Sequence, residues 1–269
     1  MSMFKTSDGV NLYYEVAGEG KPIVFIHGWT ADHTSFEAQV KNLSSEFKII
    51  TYDLRGHGAS DRPEKGLTMN RYAVDLEELM EYLELKDVVL VGWSMGSSII
   101  FDYVRTYGVS RLSSVAIVDM TPKLINDDEW KMGLYHGKFT IEDTFDALTT
   151  MCNNWMDFAE DFAKDAIPYL SEKELEPILE ALNTNTPHIM YSMWTAMSAN
   201  DYRDVLKDIT VPTLIIYGEK STLYSEETAR YLKKNIQNSK LVPFENCTHF
   251  LVVENPDKLS KVVKEIALK

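Results

Sequence analysis

The sequence predicts an α/β fold built on a doubly wound, mostly parallel sheet. Three observations support this. Short apolar runs recur along the chain, helical patterns separate them, and most runs are closed by a glycine or an aspartate. The runs are continuous rather than alternating, which is typical of strands covered on both faces. They lie at residues 23–26, 48–52, 87–91, 115–118, 213–217 and 241–244.

The segments between these runs have helical periodicity. Residues 69–84 place apolar side chains on one face and acidic side chains on the other. Further helices are predicted at 97–107, 225–235 and 256–268, the last with Asn255 as its N-cap and Pro256 at its first position. Residues 10–16 alternate as an antiparallel hairpin at the edge of a sheet does.

One long stretch, residues 123–204, has no strand pattern. It holds three of the five tryptophans and six of the twelve methionines. It also has sixteen acidic side chains against six basic ones. We therefore predict a core formed by 1–122 and 205–269, with 123–204 inserted as a helical cap that has an acidic outer surface.

The composition limits the partners and the location. The chain has 269 residues and a net charge of −14, so it lacks the basic surface that nucleic acids or anionic membranes require. The N-terminus is polar, unlike a signal peptide, and no apolar run reaches the roughly 18 residues of a membrane span. The expectation is a cytoplasmic protein without nucleic-acid or membrane partners. No His, Cys or acidic spacing suggests a metal site and no phosphate-binding loop occurs, so no cofactor is expected.

The strongest chemical motif is Gly92-Trp93-Ser94-Met95-Gly96. A G-x-S-x-G string alone is weak, but this one follows a predicted buried strand and precedes a predicted helix. In that context the tight turn presents the Ser94 hydroxyl at the carboxyl end of the sheet, where it is a candidate nucleophile.

A second motif, His27-Gly28-Trp29, follows the first long apolar run. Its loop can direct the backbone N–H of Trp29 at the same point as the N–H of Met95. Two such donors form an oxyanion hole, in which each stabilises an acyl-transfer intermediate by about 3–4 kcal/mol. The motifs also place Trp29 and Trp93 near Ser94 as candidate pocket residues, whereas His27 is interpreted as structural.

The candidate general base is His249, which follows the predicted strand 241–244 and precedes the last helix. Ser94 followed by His249 is the chain order of one of the convergent catalytic triads. The Asp, Arg and His of segment 53–60 are interpreted as residues that hold a loop together by hydrogen bonds.

Together these elements resemble the α/β-hydrolase-fold proteins of the esterase, perhydrolase and lactonase type. The resemblance spans nearly the whole chain outside the insertion. It implies that Ser94 is the nucleophile, that His249 is the base and that the backbones of Trp29 and Met95 form the oxyanion hole. It also implies that the insertion is the helical cap that follows the sixth strand. Related epoxide hydrolases and haloalkane dehalogenases attack with an aspartate, so Ser94 argues against both activities.

The sequence departs from this pattern at the triad acid. The family usually carries it three residues past the glycine of Tyr217-Gly218, where this chain has Ser221. The best substitute is Asp119, at the carboxyl end of the preceding predicted strand. Glu219 is a second candidate, and the absence of any acid is a third possibility.

The sequence therefore predicts a serine hydrolase that cleaves a small, neutral, fairly apolar carboxylic ester. Thioester, lactone and peracid chemistry stay open. The acidic cap disfavours acyl-carrier-protein substrates, since those partners are themselves acidic. A perhydrolase or lactonase is one alternative. A non-enzymatic small-molecule sensor of the same fold is another, because Ser221 replaces the usual acid.

Overall fold

The computed structural model describes residues 2–269, and its centre is an eight-stranded sheet. The strand order is β1-β2-β4-β3-β5-β6-β7-β8. The pairs β1–β2 and β2–β4 are antiparallel and all the others are parallel, which confirms the predicted fold class. The strands are β1 Ser2–Lys5, β2 Asn11–Ala17, β3 Pro22–Ile26, β4 Lys48–Tyr52, β5 Val88–Trp93, β6 Leu112–Val118, β7 Thr213–Gly218 and β8 Ser239–Phe244.

Helices cover both faces of this sheet. They are α1 Glu37–Leu43, α2 Met69–Tyr82, α3 Met95–Tyr107, α4 Leu134–Gly137, α5 Ile141–Asn153, α6 Trp155–Ala166, α7 Glu172–Asn183, α8 Pro187–Ser198, α9 Glu226–Asn235, α10 Leu251–Glu254 and α11 Pro256–Ala267. Two short 3-10 turns lie at His33–Phe36 and Leu206–Asp208. Among residues 2–269, no helix has both the length and the apolar character needed to cross a membrane.

The sheet separates two apolar cores. Alternate side chains of the central strands point to opposite faces, so Val24 and Leu90 join one core while Phe25 and Val91 join the other. Every residue of β5 is buried, as its continuous apolar sequence predicts for a strand covered on both sides.

The structure confirms the antiparallel hairpin that the alternating segment at 10–16 predicts at the sheet edge. That segment contains most of β2, which pairs with β1 on its outer side and with β4 on its inner side. The edge strand is β1, where only Phe4 is buried. Helix α11 begins as predicted, because the Asn255 side chain accepts a hydrogen bond from the N–H of Lys258.

Helices α5 to α8 all lie between β6 and β7, within the segment that the sequence predicts to be helical. They contact the core through Trp29, whose indole Nε1 donates to the carbonyl oxygen of Met190 at 3.1 Å. The Trp29 ring also packs against Trp155, Phe162 and Trp194, with ring centroids 5.0–5.6 Å apart. This aromatic packing sets the helices over the carboxyl ends of the strands.

Candidate active site

Ser94 lies on the sharp turn between β5 and α3. Its φ of 54° and ψ of −124° are strained for a residue with a side chain. The turn is possible because the residues two positions before and after Ser94 are glycines. A Cβ on Gly92 would lie 2.5 Å from the carbonyl carbon of Gly96, and a Cβ on Gly96 would lie 2.2 Å from the carbonyl oxygen of Ile26. The sequence thus forces the serine side chain out at the end of the sheet.

His249 lies on the loop between β8 and α10, and its Nδ1 is 2.7 Å from Oδ2 of Asp119. Both side chains are almost completely buried. Since a carboxylate only accepts hydrogen bonds, the Nδ1 of His249 donates and its Nε2 is left with a free lone pair in the neutral ring. The Trp93 indole donates to the backbone oxygen of His249 at 2.9 Å and so holds the same loop.

The carboxylate of Asp119 accepts two further hydrogen bonds. Ser221 Oγ donates to Oδ2 at 2.7 Å, and the backbone N–H of Gly218 donates to Oδ1 at 3.1 Å. Asp119 itself has a φ of 46°, a left-handed conformation in which Asp and Asn are enriched. Glu219, the alternative acid, is exposed and has no hydrogen bond to His249 in the structure.

Ser94 and His249 line the same cavity. No hydrogen bond joins Ser94 Oγ to His249 across the described residues 2–269, a separation that is common in enzymes without bound substrate. The backbone N–H groups of Trp29 and Met95 find no acceptor within that part of the chain. Gly28 allows the Trp29 loop to lie close to Ser94, since a Cβ on Gly28 would lie 3.2 Å from the Cβ of Ser94.

The cavity has a volume of about 200 Å³ and a mostly apolar lining. Trp29 and Trp93 both line it, as the motifs predict. No Lys, Arg, Asp or Glu side chain is in its lining, and its titratable groups are His249 and Tyr224. Burial raises the pKa of the Tyr224 phenol well above its ordinary value, so this hydroxyl is neutral. The helical segment contributes these apolar side chains to the lining: Leu124, Leu134, Phe162, Ile178, Ala181, Leu182, Trp194 and Met197.

The segment 53–60 forms a hydrogen-bonded loop beside the site. Buried Arg55 donates to Asp75 at 2.6 Å and to Asp8 at 2.9 Å. His27 accepts from the N–H of Leu54 on Nε2 and donates from Nδ1 to the oxygen of Gly28. Burial lowers the pKa of His27, so the ring is neutral and has both nitrogens occupied.

The structure brings together Asp32, His33 and Asp53, a cluster that the sequence does not predict. One potential ligand atom from each lies within 4.8 Å of the others. Hydrogen bonds already engage all three side chains. Asp53 accepts from His33 Nδ1 at 2.7 Å, and Asp32 caps the 3-10 turn by accepting from the N–H of Thr34. Their adjacency is explained by these bonds.

Two features of the site are not predicted from the sequence. In the sequence Ser221 marks only the place of a missing acid, yet in the structure it donates to Asp119. Leu223 and Tyr224 line the cavity from the loop that follows Ser221. The only sequence signal for them is that this loop follows a strand adjacent to the one that ends at Asp119.

Comparison with known proteins agrees with the fold described above. A family model described as alpha/beta hydrolase fold matches residues 21–256. The chain is 31% identical to the AB hydrolase superfamily protein YisY of Bacillus subtilis, over 98% of this chain and 97% of the relative.

Solved structures give the same result. An esterase from Exiguobacterium antarcticum superposes with a TM-score of 0.91 and 26% identity, covering 100% of this chain and 99% of that one. A bromoperoxidase from Bacillus anthracis has a TM-score of 0.89 and 29% identity, also covering 100% and 99%. Other relatives are named as esterases, perhydrolases, haloperoxidases and lactonases. The chain therefore belongs to the alpha/beta hydrolase fold family.

Proposed function

We propose that the protein is a serine hydrolase that cleaves small, uncharged, apolar carboxylic esters, with Ser94 as nucleophile, His249 as general base and Asp119 as the triad acid. The observation that carries this proposal is the hydrogen bond of 2.7 Å from His249 Nδ1 to Asp119. It fixes the imidazole tautomer whose Nε2 can accept a proton, in a cavity that Ser94 also lines.

The proposed reaction has two halves. In the first, Ser94 Oγ attacks the ester carbonyl carbon while its proton passes to His249 Nε2, and the oxyanion is bound by the N–H groups of Trp29 and Met95. The intermediate collapses, His249 returns the proton to the departing alcohol, and an acyl group remains on Ser94. In the second half, His249 takes a proton from water as the water oxygen attacks the acyl carbon. The bond between that carbon and Ser94 Oγ then breaks, His249 returns the proton to Oγ, and the carboxylic acid is released.

The lining of the cavity supports the proposed substrate class. A cavity of about 200 Å³ is somewhat larger than the roughly 150 Å³ apolar cavities that bind benzene, so it suits a short aliphatic or a single-ring group. A carboxylate or phosphate on the substrate would meet no cationic side chain there. We therefore expect an ester that carries no charged group. This differs from the substrates named for two relatives, a 3-oxoadipate enol-lactonase and a pimeloyl-[acyl-carrier protein] methyl ester esterase.

A second candidate activity is perhydrolysis, in which hydrogen peroxide replaces water in the second half and the product is a peracid. The similarity to the bromoperoxidase structure and to a bifunctional esterase/perhydrolase favours it. The same residues serve both reactions. Peroxide-dependent turnover in acetate buffer separates perhydrolysis from simple ester hydrolysis.

The decisive experiment is reaction with a fluorophosphonate, followed by intact mass and adduct mapping. We expect one adduct per chain, located on Ser94, and none in the Ser94→Ala variant. Ser97→Ala serves as a matched control, because Ser97 is a buried serine three residues after Ser94 and its Oγ bonds backbone groups. A folded wild-type protein without an adduct after hours would refute the hydrolase and favour a binding protein of the same fold.

A further inference from the structure

One phenolic hydroxyl in the cavity has no partner within the described part of the chain. Tyr224 is 5% exposed and lines the cavity together with Ser94 and His249. Its backbone N–H donates to Ser221 Oγ at 3.3 Å, but its phenolic Oη makes no hydrogen bond to residues 2–269. A buried phenol normally has a hydrogen-bond partner, because an unpaired polar group away from water is costly. The partner of this hydroxyl must therefore come from what enters the cavity.

The hydroxyl of Tyr224 borders the cavity rather than packed protein. Eight side-chain polar atoms of residues 2–269 are both unpaired and completely enclosed by protein, and Tyr224 Oη is not one of them. Since the residue is almost entirely buried, the space that its hydroxyl touches is the cavity that it lines. The Tyr224 ring also lies beside the general base, with its centroid 5.7 Å from that of the His249 ring. A substrate held for reaction at His249 therefore lies close to this phenol.

The hydroxyl of Tyr224 is available as a hydrogen-bond donor. Burial and then the negative charge of Asp119 raise the pKa of this phenol well above its ordinary value, so it keeps its proton at neutral pH. Asp119 does not take up that proton in a hydrogen bond, because the three hydrogen bonds that its carboxylate accepts come from other groups. The O–H of Tyr224 is thus free to donate to an acceptor in the cavity.

Tyr224 differs from the other hydroxyl residues in the cavity lining that take no part in the proposed chemistry. Thr30 Oγ1 already donates to the backbone oxygen of Trp29 at 2.6 Å. Ser35 is only half-buried, so its hydroxyl can bond to solvent. Most of the remaining lining is apolar. A few fixed polar groups in an apolar pocket are what orients a ligand and gives specificity, and Tyr224 is such a group.

We propose that Tyr224 determines substrate specificity by donating a hydrogen bond to a neutral oxygen in the acyl or alcohol chain of the substrate. The preferred substrate is then an uncharged ester that also carries an ether, keto or hydroxyl oxygen, rather than a plain hydrocarbon ester. This inference deepens the proposed function and rests on it. An oxygen buried in an apolar cavity costs free energy unless it is hydrogen-bonded, so a single donor selects substrates that place an acceptor beside it.

The test uses pairs of esters that differ only by exchange of one CH₂ group for an oxygen. In the alcohol chain the pair is butyl butyrate and 2-methoxyethyl butyrate. In the acyl chain it is p-nitrophenyl butyrate and p-nitrophenyl methoxyacetate. For each pair, the oxygen preference is the kcat/KM of the oxygen-containing ester divided by that of its partner. Comparing this preference between variants removes the difference in intrinsic reactivity of the two esters.

The preference is measured in wild type, in Tyr224→Phe and in the matched control Tyr135→Phe, with a thermal melt to verify the fold. Tyr135 is a tyrosine near Tyr224 that does not line the cavity. In one of the two pairs we expect the preference to fall about fivefold in Tyr224→Phe, the effect of a typical neutral hydrogen bond. It should stay unchanged in Tyr135→Phe. The pair that responds identifies the chain that carries the oxygen.

A change of less than twofold in both pairs would overturn the proposal, even if Tyr224→Phe lowers kcat/KM equally for both members. Dissociation constants of the same esters, measured by calorimetry in a Ser94→Ala background, give the preference without turnover. They separate this inference from the proposed hydrolase, because they hold even if Ser94 proves unreactive. If Tyr224→Phe does not fold, Ser94→Ala alone is decisive. Binding of the oxygen-containing ester at least fivefold weaker than that of its partner, in both pairs, would show that the cavity has no donor and would overturn the proposal.

Discussion

The Asp119→Asn substitution tests the triad assignment most directly. The carboxylate of Asp119 accepts from three donors, His249 Nδ1, Ser221 Oγ and the N–H of Gly218. An amide has one acceptor oxygen and one NH₂ group. The Gly218 N–H is a fixed backbone donor, so the amide oxygen turns towards it and the NH₂ group faces the other two partners.

This orientation of the amide determines which nitrogen of the His249 ring carries the proton. The Ser221 hydroxyl can rotate and accept from the NH₂ group, but His249 can accept only by presenting a bare Nδ1. The ring then carries its proton on Nε2, and it cannot take a proton from Ser94. An amide in place of a triad carboxylate costs about 10⁴ in turnover in a serine protease, so we expect kcat to fall by about 10³–10⁴. That loss corresponds to about 4–5.5 kcal/mol of transition-state stabilisation.

The assay is steady-state hydrolysis of p-nitrophenyl butyrate, with a thermal melt to verify the fold. Glu219→Gln is the matched control, since it neutralises an exposed carboxylate on the nearby loop, and it should change kcat by less than about twofold. A loss below tenfold in folded Asp119→Asn would refute the reasoning. A large loss of kcat in Glu219→Gln would instead identify Glu219 as the triad acid.

Three further predictions concern packing, pH and the substrate. Gly96→Ala should destabilise the protein by about 3 kcal/mol or more and abolish the fluorophosphonate adduct, because its Cβ would lie 2.2 Å from a backbone oxygen. In Gly108→Ala the Cβ meets nothing within 4 Å, so a chemical melt should show only the backbone cost of its φ of 70° and ψ of −156°, about 1–3 kcal/mol. Burial lowers the pKa of His57, so below about pH 6.5 the unfolded chain binds a proton that the folded one refuses, and stability falls as pH falls. The free energy of unfolding, measured by urea melts between pH 7 and pH 5, should therefore depend less steeply on pH in His57→Phe than in wild type, by up to about 1.4 kcal/mol per pH unit. An unchanged slope would contradict this role of His57. Phe162→Ala should raise kcat/KM for p-nitrophenyl octanoate relative to the acetate, because it widens the cavity on the side of the helical segment; an unchanged ratio would place the acyl chain elsewhere.

The sequence predicts the central strands well because each is buried on both faces and therefore continuously apolar. The sequence does not predict elements whose apolar pattern is too short to be recognised. The edge strand β1 has four residues and buries only Phe4. Helix α1 has seven residues and buries only Gln39 and Leu43, which is too few to define a helical period. These elements are stabilised by tertiary contacts that a local pattern does not contain.

The same difference between local and long-range constraints applies to the candidate site. Ser94 could be predicted because a strained turn imposes glycines at fixed spacing, so the constraint is local in sequence. The placement of Asp119 beside His249 spans 130 positions, and that of Ser221 beside Asp119 spans 102. No spacing rule links such residues. The sequence shows only that these residues lie at or near the ends of strands. This limits the candidates for the acid but does not select one of them.

Ser221 illustrates how such a position should be interpreted. Taken by itself, a serine where an acid is expected suggests a degraded triad. In the structure Asp119 supplies a carboxylate oxygen 2.7 Å from His249 Nδ1, and Ser221 Oγ lies 2.7 Å from that same oxygen. A buried carboxylate is costly unless donors satisfy its oxygens, so an acid at position 119 needs a donor from the neighbouring strand end. Ser221 is such a donor, so its hydroxyl argues for a relocated acid rather than a missing one.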